Sequence, residues 1–96
     1  MENLSIKIKA LNIYPEENIE MLVEKIGQTD GKIKKAIGNW LDTENETEIT
    51  VEGIRYSDLK DKTGMNPIAA YLTLDWINRQ PIEAIAALRE EYPDLE

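Results

Sequence analysis

The groups that could do chemistry in this chain are carboxylates, lysines, tyrosines and hydroxyls, because it contains no histidine and no cysteine. Two carboxylates placed to share a substrate can divide general acid and general base work. The pairs that helical spacing brings together are Asp58 with Asp61 and Glu16 with Glu20. Both fall on faces expected to be solvated, where acids serve solubility. The missing imidazole and thiol remove the usual nucleophile–base couples and nearly all zinc, haem and iron–sulfur ligation. No catalytic residue, no metal ligand and no cofactor is therefore expected, and the chain reads as a non-enzyme. Glu44, Glu46, Glu48 and Glu52 form an acidic run. Alternating glutamates on an extended chain point into water, whereas a calcium loop needs turn glycines and converging ligands. Asn45-Glu46-Thr47 matches a glycosylation acceptor by chance, since nothing in the chain directs secretion.

The remaining chemistry is recognition. Lys32, Lys34 and Lys35 make the one local basic cluster, and with Arg79 they are the candidates for phosphate contact in a dimeric DNA-binding transcriptional regulator. Charge opposes that reading. The formal net charge is −8, and it is uneven: residues 1–40 hold six acids against six bases, residues 41–96 thirteen acids against five bases. All the excess negative charge lies in the half that carries the most legible motif, so nucleic acid is repelled at long range.

That motif runs from Tyr56 to Arg79 and reads as helix, tight turn, helix. Ser57 can cap a short helix carrying Leu59, and Thr63-Gly64-Met65 supplies a glycine for the turn and an apolar plug for the corner. Asn66-Pro67 restarts the chain, with asparagine as cap and proline at the first helical position, where its missing N–H costs nothing. On the second helix, Ala70, Thr73, Leu74 and Ile77 share the face that packs on the preceding helices. The opposite face presents Ile68, Tyr71, Leu72, Asp75 and Trp76, apolar groups and a carboxylate where a DNA-reading helix needs hydrogen-bonding and cationic side chains. A helix apolar nearly all round must be covered on both sides. Two coverings are open at this level: the terminal helices of the same chain, or a second protein bound at Ile68, Tyr71, Leu72, Asp75 and Trp76. The second makes the chain an interaction module, a homodimer or one half of a heterologous pair.

The elements around the motif follow from periodicity. Leu4, Ile6, Ile8 and Ala10 alternate with Ser5, Lys7 and Lys9, which predicts a strand over 4–12. Pro15-Glu16-Glu17 opens a helix with Ile19, Leu22, Val23 and Ile26 on one stripe, ended by Gly27. Ile33, Ala36, Ile37, Trp40 and Leu41 predict a helix over 30–42, capped by Asp30 or Thr29, with Gly38 costing roughly 1 kcal/mol against alanine to admit a close neighbour. Ile49 and Val51 alternate with acids and Thr50, a second strand over 47–54 expected to pair with the first. A final helix from Pro81 turns Ile82, Ile85, Leu88 and Tyr92 inward and stops at Pro93.

These residues resemble a family. Ile26 to Ile33, the strand before Tyr56, Leu59 to Met65, and above all Tyr71-Leu72-Thr73-Leu74-Asp75-Trp76-Ile77-Asn78-Arg79 are similar to small bacterial winged helix-turn-helix domains of uncharacterised function. The resemblance covers about residues 26–80. It implies a three-helix core with a small sheet, and dimers, but no activity. Winged domains follow the second helix with a β-hairpin, whereas here Gln80-Pro81 leads into a helix. The expectation is therefore an α+β fold in one domain, 1–96, with a winged-helix-like core at 26–80, a two-stranded sheet, an N-terminal extension over 1–25 and a C-terminal helix over 81–92. With room for one modest core, no apolar run of membrane-spanning length and no secretory leader, a soluble cytoplasmic protein is expected.

Overall fold

The computed structural model describes residues 2–95; Met1 and Glu96 lie outside them. Six helices and one small antiparallel sheet follow in the order α1 (Glu2–Leu11), α2 (Glu16–Gly27), α3 (Gly31–Thr43), β1 (Thr50–Val51), β2 (Ile54–Arg55), α4 (Tyr56–Thr63), α5 (Pro67–Arg79) and α6 (Pro81–Glu91). The fold is mostly helical, with one small two-stranded sheet, and so α+β.

The strand over 4–12 is overturned, for the segment is α1. Leu4 and Ile8 satisfy a period of two and a helical step of four equally well. Leu11, seven residues after Leu4, completes a helical stripe that an alternating reading ignores. In the helix Ile8 is fully buried, Leu4 and Leu11 pack against the core, and Ile6 turns outward at 66% exposure. Asn12, with φ 59°, ends α1, and Lys7 and Lys9 tie it to Asp42 and Glu16.

The second strand therefore has no N-terminal partner. It pairs with its own continuation, Thr50 opposite Arg55 and Val51 opposite Ile54, around Glu52-Gly53. Both turn residues have positive φ, 51° and 81°, the left-handed pair that a two-residue hairpin loop requires and that glycine makes cheap at the second position. The expected caps of α3 and α5 are present: the Asp30 side chain accepts from the Lys32 N–H, and that of Asn66 from the Ala69 N–H. Gly64, at φ 77°, closes α4 as the turn residue.

Three details differ. Ser57 lies inside α4, and the cap is the Glu48 carboxylate, which accepts from both the Ser57 N–H and its hydroxyl at 2.9 and 2.8 Å. A Cβ built at Gly38 meets nothing within 4 Å, so no close neighbour requires that glycine. On α6, Ala84 and Leu88 are buried but Ile82 is 87% exposed. Each three-residue step from Ile82 to Ile85 to Leu88 falls about 60° short of a full turn, so the stripe drifts off the core face at Ile82.

The core is continuous. Helix α5 is central, with α3, α4, α6 and β1 all packed against it. Its Leu74 and Ile77 join Ile8, Ile26, Ile37 and Leu59 of other elements in one cluster, and Leu95 folds back to join them.

Candidate interaction surface

Helix α5 is apolar nearly all round because its own chain encloses it. Ile68 and Tyr71 are fully buried and Asp75 is 7% exposed, which corrects their placement on an outward face. The Tyr71 ring stacks on Tyr56, with centroids 4.1 Å apart and planes within 8°. Its hydroxyl accepts from the Thr47 N–H and donates to the Thr47 carbonyl, both at 2.8 Å. Tyr56 donates to Glu46 at 2.8 Å, and Lys60 pairs with the same carboxylate oxygen. The Glu44–Glu48 connector, read from sequence as glutamates pointing into water, is thus pinned to α4 through Glu46 and Glu48. Lys60, and then the Tyr56 hydroxyl, hold the Glu46 carboxyl below the usual carboxylate range. Burial, ahead of any hydrogen bond, pushes the phenols of Tyr14, Tyr56 and Tyr71 up.

Asp75 is structural too. One carboxylate oxygen accepts from the Asp30 N–H at 3.1 Å and the other pairs with Arg79 Nε at 2.9 Å. Arg79 also donates to the Gln28 carbonyl. This clasp joins α5 to the loop between α2 and α3, and it neutralises Arg79.

Two of the five expected interface residues remain at the surface. Leu72 is half-buried, and Trp76 is 37% exposed with its indole N–H donating to Gln80 at 3.1 Å. With Lys25 and Gln28 at the end of α2, and Arg79 and Gln80, they line an open cleft of about 630 Å³ over the Asp75 clasp. Met21, 49% exposed, stands one turn before Lys25 on α2. The sequence singled out Leu72, Asp75, Trp76 and Arg79 but not Lys25, Gln28 or Gln80, whose types carry no signal of a site.

Lys32 and Lys35 border a different cleft, of about 690 Å³, with Asn39 and Thr47; Lys34 lines neither cleft, and Arg79 lines the first. The carboxylate pairs are also occupied or dispersed: Asp58 binds Arg55 at 2.9 Å and Glu16 binds Lys9 at 3.1 Å. Among the described residues no helix is long and apolar enough to cross a membrane.

Comparison with family models, curated proteins and solved structures finds no match.

Proposed function

We propose that this chain is a non-catalytic, cytoplasmic protein-interaction module that binds its partner in the cleft between α2 and α5. Its scaffold is read as a remodelled winged helix. α3, α4 and α5 stand as the three helices, the hairpin falls between α3 and α4, and α6 takes the place of the wing. The observation that carries the functional reading is Trp76: it is the one large aromatic side chain that the otherwise enclosed α5 leaves at the surface, beside Leu72 and in a concave site. Aromatic groups seated in clefts supply a large share of binding energy at protein interfaces. With Arg79 neutralised by Asp75, Lys25 is, among the described residues, the one uncompensated charge on the cleft lining, which favours a partner offering an apolar side chain flanked by a carboxylate. DNA reading is disfavoured by the net charge of −8 and by the pairing of Arg79 with Asp75.

The test uses wild-type protein and Leu72→Glu as baits for quantitative capture from cell extract, with circular dichroism as the check of fold. A protein retained by the wild type and lost from a folded Leu72→Glu supports the reading. Equal retention by both baits, or a Trp76→Ser variant that captures as well as wild type, removes it.

A further inference from the structure

The cleft has a counterpart on the same molecule. Helix α6 carries Ile82 at 87% exposure, the most exposed of the large hydrophobic side chains among the described residues. Ala86 follows one turn later, and Ala87 lies beside it; both are exposed. Ala86 is the next residue along the knob's side of the helix, and Ala87 lies about 140° round from Ile82, next to Glu83, so the helix is low beyond the knob and another surface can approach it there. Glu83 is exposed beside the knob, and neither it nor Lys25 of the cleft has an ionic partner among the described residues. Knob and cleft are complementary in kind: an apolar projection with a carboxylate at its side, and an apolar floor of Leu72 and Trp76 with an ammonium at its rim.

They are also adjacent. Gln80 lines the cleft and Ile82 is two residues further on, so their Cα atoms lie within about 7 Å by chain geometry. A knob beside its own cleft cannot fold back into it, since α6 is held on α5 by Ala84 and Leu88 on its opposite side. It can enter the cleft of a second copy. When two complementary features sit next to each other, one twofold rotation satisfies both at once, and the assembly closes as a dimer instead of growing into a fibre.

We infer that the occupant of the cleft is a second copy of this chain, docked about a twofold axis with Ile82 of each copy seated against Leu72 and Trp76 of the other and Glu83 paired with the opposing Lys25. This rests on the reading of the cleft as an interaction surface. A stable dimer takes about 800 Å² from each copy, against a total surface of 6061 Å² here. Both the cleft and the outer face of α6 must therefore be engaged together.

Sedimentation equilibrium of the full chain over a concentration series tests this. The wild type is expected to populate a dimer. Ile82→Glu and Lys25→Glu should each raise the dissociation constant by about tenfold or more, and the double variant Lys25→Glu/Glu83→Lys should regain most of the loss, as a direct pair requires. Ile82 and Lys25 are exposed, so these variants keep the core, and circular dichroism verifies it. A wild type that stays monomeric throughout overturns the inference, while the cleft reading then stands or falls on whether a protein captured by the wild type is lost from Leu72→Glu. A dimer that Ile82→Glu leaves intact but Leu72→Glu breaks also overturns it and keeps the cleft. A dimer indifferent to both substitutions forms elsewhere and overturns the inference, and the cleft reading is again left to the capture test.

Discussion

Glu46 shows how a single exposed-looking acid comes to hold structure. Its carboxylate receives the Tyr56 hydroxyl and the Lys60 ammonium, and Tyr56 in turn stacks on Tyr71, the largest fully buried side chain. Because the folded state lowers the carboxyl pKa from an ordinary 4.5, it stabilises the fold fully above that value. The contribution is lost as pH falls through the lower folded value. Glu46→Gln keeps an acceptor for Tyr56 but loses the charge opposite Lys60. Urea unfolding at neutral pH should show it less stable than wild type by about 1 kcal/mol or less, as for a surface pair. The difference should shrink once the pH drops below 4.5. A gap that stays constant into acid would show that the ion pair is not its source. Asp75 is the opposite case, a buried acid whose two oxygens are both engaged. Asp75→Ala leaves the Asp30 N–H and the Arg79 guanidinium without their partner at once.

At the scale of the element, α1 and α3 give the clearest tests. A strand would place Ile6 and Ile8 on one face, whereas the helix buries Ile8 and exposes Ile6 at 66%. Ile8→Ala should cost about 2–5 kcal/mol by transfer and cavity formation, and Ile6→Ala a few tenths. Equal costs in denaturant unfolding would restore the strand. In α3, Gly38 has open space where a Cβ would go and helical backbone around it. Gly38→Ala should stabilise the protein by roughly 0.5–1 kcal/mol, read as a higher thermal midpoint. Other local features were legible because they depend on near neighbours alone. Asp30 and Asn66 cap helices with their own side chains, and Gly64 supplies a left-handed turn whatever packs around it. Ser57 has the residue type of a cap but does not act as one, because the competing cap, Glu48, arrives from nine residues earlier through a hairpin.

The whole molecule has one core, in which Ile8 of α1, Leu59 of α4, Tyr71 of α5 and Leu95 near the C-terminus join a single cluster. Such a chain should unfold in one step, with far-ultraviolet circular dichroism and tryptophan fluorescence giving the same midpoint in urea. A separate earlier transition would mean that α1 and α2 detach as a unit. The shared core also decides which residues a partner can reach. Ile68, Tyr71 and Asp75 have the pattern of an outward face, but enclosure by α3, α4, α6 and β1 takes them inside and leaves Leu72 and Trp76. The Gly64 turn, the Asn66-Pro67 restart, the helices over α2 and α3, the lack of histidine and cysteine, and the acidic second half are legible in residue type and short-range spacing. Packing between distant segments makes 4–12 helical, pairs the second strand with its own continuation, turns Glu46 and Glu48 into latches, and completes a cleft with Lys25, Gln28, Gln80 and Trp76. Periodicity reports which side of an element is apolar but not what lies against it. Burial, pairing and concavity are properties of two or more distant segments, fixed when the core closes around α5.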